Sequence, residues 1–371
     1  MRTNYLLTVT TMEPTRPLME RILNRKHALS SLTDADFEAL LPELATELAA
    51  NGVLRESYPG AEIQKDWALL LKKDATINAT TISATEVAGM KVMRKHMQHF
   101  HAVRNYKGHS VESLWTQPCL EKALRFNRAQ HSTPYASEII RSLSFANGLG
   151  KVTMYRPMMA KKVVSYLADK DKLTEVRVLD VCAGWGGRMI GAKSVELSPA
   201  STCTVHYTGI DPCEKTHAAL RAIRDELGLH NVTLIHKPAE VALQQPLGTY
   251  DIALTSPPYY NLEIYSDEPT QSVATKDGYQ TWLNEFLNPV IAGVIRLGVK
   301  YSCWSVKNFK TDKKYDLLDD VIRIHGEHGW RLLDGVVFTM ANSRRPGQKA
   351  ASEDVVPKKT EECTYVFVRA T

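Results

Sequence analysis

The run Val176-Arg177-Val178-Leu179-Asp180, closed by Gly184, Gly186 and Gly187, constrains the fold of this chain more than any other stretch. An alternating β-branched and aliphatic run reads as a strand. Glycines directly behind it let the backbone turn tightly, so that a ligand can approach the helix that follows. The layout then repeats. Tyr207-Thr208-Gly209-Ile210-Asp211 predicts a second strand ending in a carboxylate, a helix follows over 214–227 with Gly228 as its stop, and 232–236 predicts a third strand. Tyr250-Asp251-Ile252-Ala253-Leu254 predicts a buried fourth strand that stops at Pro257-Pro258, because neither proline can donate a ladder hydrogen bond. Residues 282–297 read as a helix, 300–306 as a fifth strand, and 330–340 and 363–369 as two more joined by a long polar loop. Strands alternating with helices from about residue 151 predict a wound α/β sheet. The step of 31 residues from Asp180 to Asp211 is long for such a unit, and a loop over 197–204 rich in Ser, Pro and Thr accounts for the excess.

Residues 1–150 read as a mostly helical N-terminal region without a cofactor motif, which gives two domains, 1–150 for target recognition and 151–371 for the sheet. Thr33 caps a helix whose Phe37, Leu40, Leu41, Leu44 and Leu48 share a face, with Gly52 as its stop and Pro42 predicting a break or kink. Trp67, Leu69, Leu70 and Leu71 mark another helix, and 76–85 has no assignable pattern. Charged residues at 23% and hydrophobic ones at 44% are ordinary for a folded soluble chain. The net charge of +5 is modest, so affinity for nucleic acid has to come from local clusters. No apolar run reaches membrane-spanning length and residues 1–17 lack the apolar core of a signal peptide, which predicts a cytosolic protein without a membrane partner. Six cysteines without a Cys-x-x-Cys pair argue against a metal site and against a disulfide framework.

The residues at the fourth strand end carry the chemistry. Ser256 Oγ and the Pro257 carbonyl can accept hydrogen bonds from an exocyclic amine, and Tyr259 can stack on the ring that bears it, all on a loop stiffened by Pro258. The expected target is a nucleobase. Attack on a cytosine ring carbon would need a Pro-Cys nucleophile in this loop, and Pro118-Cys119 and Pro212-Cys213 stand elsewhere. Met189 occupies the position where the dinucleotide fingerprint has a third glycine, which argues against a nicotinamide cofactor. Asp211 is the strand-end carboxylate that nucleotide-binding folds use to accept ribose hydroxyls.

In Leu179-Asp180-x-x-x-Gly184-x-Gly186 and Ser256-Pro257-Pro258-Tyr259 the sequence resembles the S-adenosylmethionine-dependent amino methyltransferases of DNA. The resemblance covers the second half of the chain well and the first half loosely. Gly184-Trp185-Gly186-Gly187-Arg188 behind a helical leader gives it the look of a bacteriophage or other viral methylase. It implies a Rossmann-like seven-stranded methyltransferase sheet with an antiparallel last strand, and S-adenosylmethionine as cofactor. Arg156 and Pro157, ahead of the first strand, are a weak match to the segment that helps hold the cofactor's methionine part. Asp180 is implied to engage its ammonium directly or through water, Cys182, Ala183, Gly184, Trp185 and Gly186 to pass beneath its sugar, and Asp211 with Pro212 to hold the ribose. Cys182 stands where the family often has phenylalanine. A serine in the fourth motif is typical of enzymes that methylate the amino group of cytosine, whereas cofactor motifs ahead of the catalytic motif are the order of many adenine enzymes. The resemblance thus implies cytosine as acceptor with adenine as the alternative, and direct in-line transfer to the amino nitrogen of an extruded base.

DNA is the expected partner, with an RNA or protein substrate as the lesser alternative. A non-catalytic nucleic-acid-binding scaffold would be expected to have lost some of Asp180, Gly184, Gly186 and Asp211, and all are present. Ligands of wound sheets sit outside the carboxyl ends of the strands. Segments 260–277, 307–314 with Lys307 and Lys310, and 342–362 with Arg344 and Arg345 leave that edge, where they are expected to form a phosphate-contacting rim. The basic stretch 91–107, with Arg94, Lys95 and interleaved aromatics, reads equally as a phosphate-binding surface or as a solvated helix face.

Overall fold

The computed structural model describes residues 17–75, 80–150, 152–199, 201–273, 277–341 and 358–370. The chain divides into two compact units, one of residues up to Glu56 together with Phe100–Val152, the other of Ser57–His99 together with Thr153–Thr371. The boundary expected near residue 150 is therefore not a single cut, since 57–99 belong with the sheet.

The first unit is helical, with Asp34–Asn51, Gln117–Ala129 and Ala136–Ala146 as its longest helices. Phe37, Leu41, Leu44 and Leu48 on the first pack with Leu120, Leu124, Ile139 and Leu143 on the other two. Thr33 caps as expected, its Oγ1 accepting the Asp36 N–H at 3.1 Å, and Gly52 closes the helix with φ +78°. Of the break or kink expected at Pro42, the break does not occur: the helix runs on to Asn51. Pro42 lies on the exposed side, where water can satisfy the carbonyl that its missing N–H leaves free.

The second unit is built on an eight-stranded sheet. Its strands are β1 (Thr81–Ser83), β2 (Glu175–Asp180), β3 (Thr204–Asp211), β4 (Val232–His236), β5 (Ile252–Thr255), β6 (Tyr301–Val306), β7 (Trp330–Ala341) and β8 (Cys363–Arg369). They lie in the order β1-β7-β8-β6-β5-β2-β3-β4. From β6 through β4 every pairing is parallel, and β8 runs antiparallel to both β6 and β7. Strands β2 to β8 are the Rossmann-like seven-stranded sheet with an antiparallel last strand. The eighth, β1, comes from the unassigned stretch 76–85 and adds a parallel edge to β7. The helix expected over 282–297 is interrupted by a π-helical turn, Leu283–Leu287, directly before Pro289. A proline at that point has no N–H to offer the carbonyl four residues back, and the widened turn accommodates the lost bond. No helix among the described residues is long and apolar enough to cross a membrane.

Two consequences of this topology position the site. The parallel strands end on one edge, which gathers Asp180, Asp211 and, one residue beyond β5, Ser256. Because β8 is antiparallel, it starts at that edge, with Cys363 opposite Val306 at the end of β6. The helices Pro157–Lys170 and Gly187–Glu196 pack closely through glycine: a Cβ at Gly191 would overlap the Pro157 carbonyl and lie 2.6 Å from the Ala160 Cβ. The close approach that a third fingerprint glycine normally allows is thus supplied two residues beyond Met189. Gly191→Ala is expected to cost about 1–3 kcal/mol or more, because backbone rather than a movable side chain blocks the methyl group. Urea denaturation measures this, with Gly326→Ala, where a Cβ meets nothing within 4 Å, as the control expected to show no such loss.

Candidate active site

Asp180 ends β2 with no solvent exposure. Its Oδ2 accepts from Arg188 Nε at 2.7 Å and from the Tyr207 hydroxyl at 2.7 Å, and its Oδ1 accepts the Cys182 N–H at 3.3 Å. Arg188 also donates to the Cys182 carbonyl and lies 5.1 Å over the Tyr155 ring. Burial alone would lower the pKa of this guanidinium, but the Asp180 carboxylate overrides it and holds Arg188 charged. Asp180, expected to engage a ligand ammonium directly or through water, has both oxygens bonded within the protein. What it does is fix the loop: the ion pair anchors the first turn of Gly187–Glu196 to the strand end and sets the path of 182–186. Gly184 and Gly186 take positive φ, +50° and +83°, which only glycine adopts without strain.

Asp211, 8% exposed, ends β3. Its Oδ2 accepts the Gly184 N–H at 2.9 Å and its Oδ1 accepts the Cys213 N–H at 3.0 Å, which leaves each oxygen a lone pair for a ligand. Burial pushes this carboxyl up to about 6, against the pull of those two N–H groups. Pro212 turns its carbonyl toward His236 Nε2 at 2.9 Å. Trp185, 9% exposed, stands between His99 and Tyr265, with ring centroids 5.3 and 6.0 Å away. Cys182 and Ala183 form the turn itself, and the Ala183 N–H bonds the Ile210 carbonyl at 2.8 Å. Arg156 points elsewhere, donating to the Glu86 carbonyl, and Pro157 opens its helix as a buried first-turn proline.

Behind β5, Ser256 and Pro258 are half-buried and Pro257 is buried. Tyr259 is only 6% exposed; its ring meets Phe309 edge-on at 5.7 Å, and its hydroxyl points to the Ser305 carbonyl at 3.5 Å. Ser256 and Glu362 stand near that hydroxyl. Tyr260 is half-buried, holds φ +46°, a conformation costly for any side chain but glycine, and lies 5.4, 5.6 and 5.9 Å from Tyr279, Tyr315 and Trp282.

Sequence reasoning missed several groups here. Glu263 accepts from the Tyr265 hydroxyl at 2.5 Å, and Lys307 Nζ lies 3.8 Å from Glu362 and 5.9 Å from the Tyr259 ring centroid. Burial raises Glu263 to about 7 and raises Glu362 as well, although both side chains keep solvent-exposed surface. These half-buried groups gather beside Tyr259, at the end of the Ser-Pro-Pro-Tyr loop. Glu362 reaches it because β8 is antiparallel, a pairing no local motif announces.

The cationic residues divide. Lys307 lies beside Glu362 and the Tyr259 ring, and Lys310 is exposed on the short hairpin Phe309–Lys310 with Lys314–Tyr315. Lys95 pairs with Glu226 at 2.7 Å, and Arg94 donates to the Tyr58 hydroxyl at 3.3 Å, so this basic helix is engaged with its own unit. Arg344 and Arg345 lie outside the described residues. Arg188→Ala would leave Asp180 buried without its cation, and a loss of about 3–5 kcal/mol in urea unfolding is the expected result.

No protein-family model and no curated protein matches the sequence. Solved structures resemble its fold. They include magnesium protoporphyrin IX methyltransferase from Synechocystis with bound S-adenosylmethionine, at 15% identity over 60% of this chain and 87% of that one, TM-score 0.35. Another is a Listeria monocytogenes protein described as a class I S-adenosylmethionine-dependent methyltransferase, at 16% identity over 84% and 88%, TM-score 0.39. A third is precorrin-6y C5,15-methyltransferase from Geobacter metallireducens, at 14% over 59% and 94%, TM-score 0.35. Likenesses this low carry no argument about substrate, and the Rossmann-like assignment rests on the strand order and register above.

Proposed function

We propose that the protein is an S-adenosylmethionine-dependent methyltransferase acting on the exocyclic amino nitrogen of a DNA base, with cytosine N4 as the acceptor. The observation that carries this reading is the meeting, on one sheet edge, of the glycine loop behind β2, the Asp211 carboxylate ending β3 and the Ser-Pro-Pro-Tyr loop behind β5. Adenine N6 is the second reading, favoured by the order of those motifs along the chain.

The residues present fit the cofactor. Asp211 keeps free acceptor positions suited to a ribose diol, and Gly184 and Gly186 leave the loop without side chains where a sugar would pass. S-adenosylmethionine supplies an electrophilic methyl group and leaves as a neutral thioether. The protein's part is to present the acceptor. Ser256 Oγ and the Pro257 carbonyl accept the two amino hydrogens, which localises on nitrogen the lone pair that ring conjugation otherwise withdraws. Tyr259, held by its hydroxyl contacts and by Phe309, fixes Ser256 from behind. Extrusion of the base from a duplex supplies the access that this half-buried loop requires.

Incubating the protein with isotope-labelled S-adenosylmethionine and unmodified DNA, then digesting to nucleosides for mass spectrometry, is expected to place label in 4-methylcytosine. Label in 6-methyladenine would establish the second reading, and an unlabelled DNA pool would overturn both. Ser256→Ala is expected to slow transfer roughly 100-fold, by analogy with the loss of one preorganised polar contact, while cofactor affinity stays near that of the wild type.

Asp211 gives cofactor binding a pH dependence of definite sign. Its raised pKa means that the folded apo protein favours the protonated acid, so this group costs stability as pH rises from the ordinary carboxylate range through about 6. A ribose diol donates to Asp211 and favours the carboxylate. Calorimetric affinity for S-adenosylmethionine is therefore expected to weaken as pH falls below about 6, by up to roughly tenfold per unit, and Asp211→Asn is expected to remove that slope.

A further inference from the structure

We infer that Glu263 is a recognition residue for the amino-bearing edge of the target base, its carboxylic acid donating to the ring nitrogen beside the amino group (N3 of cytosine, N1 of adenine). This deepens the nucleobase reading above and rests on it.

Position comes first. Glu263 lies on the strap that leaves the Ser-Pro-Pro-Tyr loop, and the Leu262 N–H turns back to the Tyr259 carbonyl at 2.9 Å. Two residues on, the Tyr265 ring reaches Trp185 of the glycine loop. Glu263 thus lies on the segment that links the loop proposed to hold the amine to the ring packed on the loop proposed to hold the methyl donor. Its Oε2 is taken by the Tyr265 hydroxyl, an O–H donor that fixes the carboxyl group and leaves Oε1 for a ligand. Glu362, the other acid beside Tyr259, is already paired with Lys307 at 3.8 Å.

Chemistry decides what Oε1 can bind. Cytosine and adenine carry a ring-nitrogen acceptor next to their amino group, whereas thymine and guanine carry a ring N–H next to a carbonyl. A carboxylate would confront that acceptor lone pair with lone pairs of its own. A carboxylic acid donates to it, and so admits amino-bearing bases while offering the keto bases a mismatched donor. The groups facing Glu263 favour the acid: burial first, then the Glu362 charge, opposed by the Tyr265 hydroxyl and Lys307, leaving the group at about 7.

The test is transfer to unmodified DNA by the full chain, measured as kcat/KM for DNA from pH 6 to 8.5 at saturating cofactor, with cofactor affinity measured separately for each variant. For the wild type, kcat/KM should fall as pH rises through about 7, by up to roughly tenfold per unit. Glu263→Gln keeps a donor and an acceptor in the same place but cannot ionise. It should exceed Glu263→Ala at least tenfold at pH 6.5 and lose the fall above pH 7. Glutamine no better than alanine, or a glutamine variant that keeps the wild-type pH profile, would overturn the proposal, and the wild-type and glutamine profiles decide it even if the alanine variant fails to fold. A wild type that labels no DNA base would instead overturn the underlying nucleobase reading, and this inference with it.

Discussion

The buried ion pair between Asp180 and Arg188 is the contact on which the rest of the site depends. Two charges out of water are stable only when each finds its partner and the remaining hydrogen bonds are made. Here Tyr207 from β3 and the Cys182 N–H supply what Arg188 leaves over, so strand, loop and helix are held by one node. Arg188 extends it by stacking over Tyr155, whose hydroxyl reaches Thr364 on β8 at 3.1 Å. The node therefore connects the cofactor half of the sheet to its antiparallel strand, and its function is to hold the glycine loop in a single conformation.

That connection matters because the antiparallel strand changes the charge of the site. A wholly parallel sheet would bring only strand ends to this edge. The reversal of β8 brings a strand start, and with it Glu362 beside Lys307. Glu263 stands near both, so two acids and one cation gather beside Tyr259. On the proposed reading, backbone contacts belong to exposed cations such as Lys310, and base contacts to the Ser-Pro-Pro-Tyr loop and its neighbours.

Much of this was legible in the sequence because the signals are local. Asp180, Asp211 and the Ser-Pro-Pro-Tyr loop announce themselves by what precedes them, a strand pattern, and by what they are, residues that stop or turn one. The succession of strands and helices along the chain followed from the same alternation. What was not legible depended on tertiary pairing. Arg188 stands within the motif yet draws its role from Asp180, eight residues back, and from Tyr207 on the next strand. The edge strand β1 has three residues, too few for its exposed-buried-exposed alternation to be detected. Glu263 and Glu362 lie almost 100 residues apart and meet only because of the sheet's closing topology. Pro42 misled in the opposite direction, since the exposed face of a long helix tolerates what a buried face would not.

Tyr259 and Tyr260 carry the last step of this reasoning. Tyr259, expected to stack on a base, is 6% exposed, with its hydroxyl 3.5 Å from the Ser305 carbonyl and its ring edge-on to Phe309. The second tyrosine holds a left-handed backbone that costs energy for any residue but glycine. Such a conformation persists only when its surroundings fix it, and Tyr279, Tyr315 and Trp282 do so from three sides. The double proline makes the loop stiff, and the strained Tyr260 turns it so that both rings join one aromatic cluster, Tyr259 through Phe309 and Tyr260 through Tyr315, with Phe309 and Tyr315 stacked on each other at 4.9 Å. Stiffness therefore comes from both ends of the loop, which is what a site needs if it has to hold a planar amine in line with a methyl group while adding little flexibility of its own.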